Sequence, residues 1–315
     1  MAAPSGPVYY RKVIRITAED SPNVRAARAQ QRAGIEPTGA MLVPGVLPWW
    51  DYVKRRETWD KIRQCIGLDA EFWEGKETLL YPPEWLNRAE RIAGQLRGLK
   101  RKAVAIGIDP AEGGDSTSMA AVDRHGLIEI LTWKTPDTSD IPNAAINFME
   151  KHGVEPRMVA FDRGGGGTQH ADQMRRRGYD VRTISFGGVV SSEETRRGRV
   201  SGKLKQHEKE ERYSYKNRRA EMFGDLRLLL DPGYNETGFG LPGQYHNLRR
   251  ELAPIPLLYD SEGRLELPPK TRKESSTGRK SLVDLIGHSP DEADALALAV
   301  HAMLHPLEQT VAGAF

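Results

Sequence analysis

The feature that most constrains this chain is an alternation of apolar strands and amphipathic helices that begins at Arg101. Short apolar runs predict strands at 103–108, 118–122, 127–133, 158–161 and 181–186. Helical periodicity fills the gaps between the later strands, at 141–152 and 169–177. A tight turn at 123–126 joins the second and third strands, so the first three form an antiparallel meander. The sequence therefore predicts an α/β domain built on one mixed sheet.

This order of strands and helices is that of a ribonuclease-H-like core, so we expect a mixed five-stranded sheet flanked by helices. After the sheet come a polar stretch and four predicted elements: a helix at 217–230, β-type pieces near 252–255 and 265–267, and a final helix at 288–304. We assign 101–315 to this domain. Residues 1–100 differ in texture and are assigned to a linker or lead-in segment, with elements predicted at 9–17, 26–33, 49–66 and 84–99.

The composition excludes several classes of protein. The chain has 315 residues with 46 Lys and Arg against 43 Asp and Glu, so its net charge is only +3 and nucleic-acid binding needs local charge. Its single cysteine, Cys65, excludes an internal disulfide and a thiolate metal cluster. No apolar run approaches the roughly 18 residues that span a bilayer, and the N-terminus lacks the apolar core of a secretion signal. We therefore expect a soluble cytoplasmic protein with no membrane partner.

Carboxylates stand at the ends of strands and at the start of the last helix. Asp109 follows the first strand and Asp162 the fourth, and ligands of open α/β sheets collect at such strand ends. Asp291 and Asp294 are three residues apart on the final helix and so share one face. Such a cluster stays ionised only beside a cation, and an all-oxygen ligand set favours Mg²⁺ or Mn²⁺. Two such ions roughly 3.5 to 4 Å apart activate water and stabilise the leaving oxygen in phosphodiester cleavage.

Each acid alone also has a structural interpretation. Asp109 suits a turn before Pro110, Asp162 a loop, and Asp291 the first turn of a helix. Asp294 differs, because it interrupts the apolar stretch 293–299, where a buried charge needs a partner or a metal ion. The glycine run after Asp162 is either a plain flexible loop or a place where backbone amides meet a scissile phosphate, and we favour the second interpretation for Gly164, Gly165, Gly166 and Gly167.

Three motifs carry a resemblance to a known family. They lie at 107–115 with 120–123, at 161–167 and at 291–296. In this order they resemble the C-terminal nuclease domain of the large terminase subunit of tailed bacteriophages, over about residues 101–305. Segments 18–24 and 43–47 resemble the stretch that joins this nuclease to the packaging ATPase.

The resemblance implies an endonuclease that cuts concatemeric viral DNA during packaging. It implies metal binding by Asp109, Asp162 and Asp294, with Asp291 as a less certain accessory catalytic residue. The implied cofactors are two Mg²⁺ or Mn²⁺ ions. The implied partners are double-stranded DNA, the packaging ATPase domain, the small terminase subunit and the portal or procapsid, and the implied location is the cytoplasm of the infected bacterial host.

The sequence departs from the whole family protein in one respect, since it contains no G-x-x-x-x-G-K-[ST] phosphate-binding loop. We therefore expect no ATPase activity from this chain, whether it is a shortened protein or a separately encoded nuclease. Junction resolvases and other ribonuclease-H-superfamily nucleases share the acid pattern. The glycine runs at 113–114 and 164–167 also resemble phosphate loops of actin-like sugar kinases, which need two such halves. A non-enzymatic DNA-binding module is the remaining alternative.

A basic tract is the candidate DNA-binding surface. Between 196 and 219 there are ten Lys or Arg against three Glu, and a ring of aspartates needs such positive surface to hold DNA. The predicted DNA contacts are Arg196, Arg197, Arg199, Lys203 and Lys205, with Arg175 and Arg176 as a second bank. A solvated loop is the alternative. Tyr215 either stacks on bases or packs in the protein, and we treat His170, His288 and His301 as surface or capping residues.

Overall fold

The computed structural model describes residues 14–59, 61–71, 78–111, 116–190, 214–271 and 280–306. The chain forms two compact units, Met1–Lys76 and Glu77–Phe315. Each unit has its own hydrophobic core. No helix in the described ranges is long and apolar enough to cross a membrane.

The first unit is helical, with α1 at Pro22–Arg32, α2 at Trp49–Thr58 and α3 at Lys61–Gly67. Its core contains Val24, Ala27 and Leu68 around Trp49 and Tyr52, whose rings stack with centroids 5.7 Å apart. Trp49 is therefore a packing residue. The helix predicted at 49–66 is two helices, and of the strand predicted at 9–17 the described residues 14–17 are not in a strand. Residues 9–13 lie outside the described part.

The second unit contains the predicted sheet. Its strands are β1 at Ala105–Asp109, β2 at Ser116–Asp123, β3 at Gly126–Lys134, β4 at Val159–Asp162 and β5 at Arg182–Ile184. The spatial order is β3-β2-β1-β4-β5. The first three strands are antiparallel, and β4 and β5 add parallel to β1. This confirms the predicted ribonuclease-H-like mixed sheet.

Helices cover both faces of the sheet. On one face, α5 at Ile141–His152 and α6 at Gly167–Arg176 pack on strand side chains that include Ile106, Ile108 and Phe161. Side chains alternate between the faces of a strand, so Gly107, Asp109 and Asp162 belong to the opposite face. That face is covered by the last helix, which contacts β1, β2 and β4.

The last helix is α10 at Asp291–Leu304. The remaining elements of this unit are α4 at Pro83–Gln95, α7 at Arg218–Leu230, α8 at His246–Leu252, β6 at Leu258–Tyr259, β7 at Leu265–Glu266 and α9 at Leu282–Ile286, of which α7 and α8 contact α10. The prediction of a β-type piece at 252–255 is wrong, because Leu252 is the last residue of helix α8. The lead-in prediction included α4, whereas α4 belongs to the second compact unit. The role of 1–100 as a linker stays a prediction.

Candidate active site

The ends of two neighbouring parallel strands carry the first two candidate carboxylates. Ile108 of β1 pairs with Phe161 of β4, and the next residue in each strand is an aspartate, Asp109 and Asp162. The two side chains therefore leave the same edge of the sheet on the face covered by α10.

A glycine on β1 brings the third carboxylate to this edge. A Cβ at Gly107 would lie 2.2 Å from the carbonyl oxygen of Ala295 and 2.4 Å from the backbone nitrogen of Ala299. Only glycine permits this approach, so the backbone of α10 rests directly on β1. Asp294 precedes Ala295 and is fully buried beside the end of the strand. The sequence prediction that Asp109, Asp162 and Asp294 converge agrees with this arrangement.

The pKa values of Asp109 and Asp162 are raised by burial and by the neighbouring carboxylates. Burial raises the pKa of Asp109 well above its usual range, and the charges of Asp294, Asp162 and Asp291 raise it further, against the opposing effect of Lys270. Burial also raises the pKa of Asp162, although a hydrogen bond from the Gly164 backbone opposes the change. No hydrogen bond to the Asp109 carboxylate comes from the described residues. Among the described residues, the negative charge at this edge is therefore incompletely compensated.

Two cationic side chains that the sequence analysis did not assign to the site lie on Asp294. Arg219 Nη2 donates to Asp294 Oδ1 at 2.8 Å and to Oδ2 at 3.2 Å, and Lys270 Nζ donates to Oδ2 at 3.1 Å. Burial lowers the pKa of Lys270, but Asp294 and Asp109 outweigh it and raise the pKa above its ordinary value. Arg219 was counted in the basic tract, yet its side chain is buried at the site and is unavailable as a surface DNA contact.

The acidic start of α10 is held by Glu251 of α8. The backbone nitrogen of Ala293 donates to Glu251 Oε2 at 2.7 Å, in a side chain that is 1% exposed. Burial raises the pKa of Glu251 to about 9, and Glu292, Asp291 and Asp294 add to the rise. Asp291 is the first residue of α10 and, through its charge, belongs to the same electrostatic group as Asp109.

The glycine loop packs against Asp162 and against Pro110, the residue after Asp109. A Cβ at Gly167 would lie 1.8 Å from the carbonyl oxygen of Asp162, and one at Gly165, where φ is +57°, would lie 2.3 Å from that of Pro110. Both glycines are therefore needed for packing. This accounts for glycine here without a ligand, so a contact between the loop and a scissile phosphate stays a prediction.

The structure gives mixed outcomes for the other predicted site residues. Arg196, Arg197, Arg199, Lys203 and Lys205 lie outside the described residues. Arg175 and Arg176 lie in the last turn of α6, roughly 13 Å along the helix from the glycine loop. Arg175 Nε donates to the carbonyl of Val181 at 2.8 Å, and its Nη1 donates to Asp172 at 2.7 Å. A DNA contact by Arg175 and Arg176 stays a prediction.

Tyr215 is 6% exposed and lies against Gly224, so it packs in the protein rather than presenting its ring for stacking.

The prediction that His170 and His301 lie at the surface is wrong, since His170 is 5% and His301 2% exposed. His301 and His305 both contact Asp225, with His301 Nδ1 and His305 Nε2 each 3.0 Å from Asp225 Oδ2. Burial lowers the pKa of His301 to about 4, so this imidazole is neutral at physiological pH. The spacing of 301 and 305, one helical turn, was the available sequence signal.

The donor atoms at the strand edge are the carboxylate oxygens of Asp109, Asp162 and Asp294, and their chemistry fits divalent ions. Buried carboxylate oxygens without a full set of partners are the ligands that Mg²⁺ and Mn²⁺ prefer. Within the described ranges, the one group of three ligating atoms that all lie within 4.8 Å of one another is Asp225 with His301 and His305, so the oxygens of Asp109, Asp162 and Asp294 are spread more widely.

The strand order, the crossing of α10 over β1 and the acids at the strand ends define a ribonuclease-H-like α/β domain. The structure is similar to the nuclease domain of the large terminase subunit gp2 of bacterial virus Sf6, with a TM-score of 0.54 and 20% identity over 71% of this chain and 99% of that chain. A mutant of that domain with manganese and β-thujaplicinol gives a TM-score of 0.53 at 19% identity, and one with calcium 0.53 at 20%, each over 71% of this chain and 99% of that one. No protein-family model and no curated protein match the sequence. The predicted resemblance to terminase nuclease domains is thus confirmed in the fold.

Proposed function

We propose that this chain is a divalent-metal-dependent DNA endonuclease of the phage terminase type, which cuts concatemeric DNA during genome packaging. The observation that carries the proposal is Asp109, a buried carboxylate at the edge where Asp162 and Asp294 also lie. Burial raises its pKa, the neighbouring carboxylates raise it further, and no described group donates a hydrogen bond to it, so a bound cation would stabilise its ionised form. The fold shared with the Sf6 nuclease domain, which has been solved with manganese and with calcium, supports the same assignment.

In the proposed reaction, Asp109, Asp162 and Asp294 hold two Mg²⁺ or Mn²⁺ ions, with Asp291 as an accessory. The ions supply a Lewis acid and a nucleophilic water for phosphodiester hydrolysis. Arg219 holds Asp294 from the buried side with two hydrogen bonds and so orients its carboxylate. Lys270, whose side chain is 32% exposed, lies at the open side of Asp294, where its ammonium can also attract a DNA phosphate.

Cleavage of plasmid DNA by the whole chain tests this function. We expect nicking or degradation with Mg²⁺ or Mn²⁺, none in excess EDTA, and none for Asp162→Asn with either ion. Asp172→Asn is the matched control, because it removes the same charge from an exposed position on α6 and should cut normally. Full activity in EDTA would contradict the metal mechanism. A thermal shift with nucleotide, but none with Mn²⁺, would favour the kinase-like alternative.

The proposal includes the DNA-binding role of the basic tract. Replacing Arg196, Arg197, Arg199 and Lys203 by Gln should weaken DNA binding regardless of sequence and reduce the log–log salt slope by about 0.9 for each phosphate that the variant no longer neutralises. The control removes four exposed charges elsewhere, Arg97, Lys100, Lys102 and Arg124. Equal salt slopes for the tract variant and the wild type would assign the tract to the solvated-loop alternative.

The wider setting is part of the same proposal. A terminase nuclease works beside a packaging ATPase, a small subunit and a portal, in the cytoplasm of the infected host. ATP hydrolysis should be absent from this chain, since its sequence has no phosphate-binding loop of the P-loop type. ATP turnover by the purified chain that persists after contaminating ATPases have been removed would contradict this expectation.

A further inference from the structure

A second group of ligating side chains lies away from the strand edge, between α7 and α10. Asp225 is on α7, and His301 and His305 are one turn apart on α10, so both imidazoles leave the same face of the helix. All three side chains are at most 5% exposed. His301 is seven residues beyond Asp294, which is roughly 10 Å along the helix. The group is therefore distinct from the carboxylate site.

We propose that Asp225, His301 and His305 supply three ligands to a zinc-type transition-metal ion that joins α7 to α10. The distances from Asp225 Oδ2 to His301 Nδ1 and to His305 Nε2 are both 3.0 Å, and one ligand atom from each of the three residues lies within 4.8 Å of the other two. In a tetrahedral zinc site with bonds of about 2.0 to 2.1 Å, neighbouring ligand atoms are roughly 3.3 Å apart. Lengthening the two Asp225 contacts by a few tenths of an ångström therefore brings them to the spacing of such a site, in which the fourth position is taken by water.

The donor types separate this site from the strand edge. Two imidazole nitrogens and one carboxylate oxygen favour Zn²⁺, Co²⁺ or Ni²⁺ over Mg²⁺, whereas the all-carboxylate edge also suits Mg²⁺ and Mn²⁺. The two sites of the molecule should therefore bind different ions from a mixture.

Metal binding must displace the contact between Arg218 and His301. Its Nη1 lies 3.3 Å from His301 Nε2, and a guanidinium only donates, so without metal the His301 proton is on Nδ1 and points at Asp225. An ion on Nδ1 moves that proton to Nε2, which no longer accepts from Arg218. The guanidinium then turns to Glu221, whose Oε2 is already 3.3 Å away. No proton is gained or lost, because both imidazoles stay neutral and exchange one tautomer for the other.

Metal content and Co²⁺ spectroscopy on the whole chain test the site. After EDTA treatment and desalting, one equivalent of ZnCl₂ should be retained and should raise the melting temperature, and CoCl₂ should give the visible absorption of tetrahedral Co²⁺ with nitrogen ligands. His305→Gln and His301→Gln should each bind at least roughly 100-fold more weakly. Arg218→Ala, which removes the competing donor, should bind at least as tightly as the wild type.

The carboxylate site supplies the second control. The double variant Asp109→Asn, Asp162→Asn should retain the Zn²⁺ and the Co²⁺ spectrum, since neither residue belongs to the histidine site. Loss of the signal in that variant, or its persistence in His305→Gln, would place the ion elsewhere and overturn the proposal. A folded wild-type chain that retains no Zn²⁺ and shows no melting shift with it would overturn the proposal whether or not the histidine variants fold.

Discussion

The two ends of α10 lie beside buried aspartates of other elements, Asp109 of β1 and Asp225 of α7, whose pKa values are shifted in opposite directions. Near its start, Asp109 has a pKa that burial raises well above the usual range, with further upward contributions from Asp294, Asp162 and Asp291. Near its end, burial also raises the pKa of Asp225, but hydrogen bonds from His301 and His305 outweigh burial and lower it. Burial is common to both residues, so the groups that face each carboxylate decide the direction.

Because of this difference, the start and the end of α10 have different roles. A carboxylate supplied with donors stabilises the fold in its ionised form, as Asp225 does where α7 meets α10. A carboxylate surrounded by other carboxylates opposes the fold when ionised, and a cation removes that opposition. The start of α10 therefore has the properties of an ion-binding region, and its end those of a structural contact that also matches a different class of ion.

The largest effect is expected for Asp109→Asn. DNA cleavage should fall by roughly 10³-fold or more, because metal charge contributes several kcal/mol to the transition state. In EDTA the same variant should be more stable than the wild type by about 1 kcal/mol, since one repelling charge is gone. Cleavage rates with Mn²⁺ and urea unfolding in EDTA measure the two effects. Lower stability together with normal cleavage would reverse the role assigned to this half of α10.

Asp225→Asn should change stability in the opposite direction. Both imidazoles donate to the same oxygen, Asp225 Oδ2, and an amide oxygen in its place is an uncharged and therefore weaker acceptor for both, at a cost of about 1–3 kcal/mol. Urea unfolding in EDTA isolates this effect from any bound ion. A destabilisation below roughly 0.5 kcal/mol would show that the hydrogen bonds of Asp225 contribute little, and the contrast between the two ends of α10 would disappear.

The sheet could be predicted because its signals are local. The predicted helix at 141–152 is α5 with the same bounds, and the alternation of apolar residues located all five strands. Asp294 could be singled out because a charge inside the apolar stretch 293–299 conflicts with its surroundings. These inferences need only neighbouring residues and the period of the element.

The partners of these residues could not be predicted in this way. Lys270 lies in an irregular segment with no period, and α7 is buried almost all round, so Arg219 and Asp225 break no visible pattern. His301 and His305 show a readable one-turn spacing, but Asp225 is 76 residues before His301 in sequence. Which distant groups meet depends on the way α7 packs against α10, and the sequence pattern of either helix alone does not contain that information.

The smallest expected effect is the change in folding stability that follows from the protonation of Glu251, next to the acidic start of α10. Glu251 has a pKa of about 9 in the fold against an ordinary 4.5, so the fold favours its protonated form. Its contribution to stability is therefore complete below pH 4.5 and is lost progressively as the pH rises to about 9. Glu251→Gln cannot ionise and keeps an oxygen for the Ala293 backbone N–H.

The stability advantage of Glu251→Gln over the wild type should therefore grow with pH. We expect on the order of 1–2 kcal/mol between about pH 5 and pH 8 in EDTA, less than the full shift because an ionised carboxylate relaxes toward solvent. Unfolding by urea at a series of pH values measures it, and Glu155→Gln, at an exposed position, is the matched control that should show no such trend. Parallel pH curves for Glu251→Gln and the wild type would show that neither burial nor the neighbouring acids raises the pKa of Glu251. A widening gap would show that burial, together with the charges of Glu292, Asp291 and Asp294, keeps the proton on Glu251 in the fold.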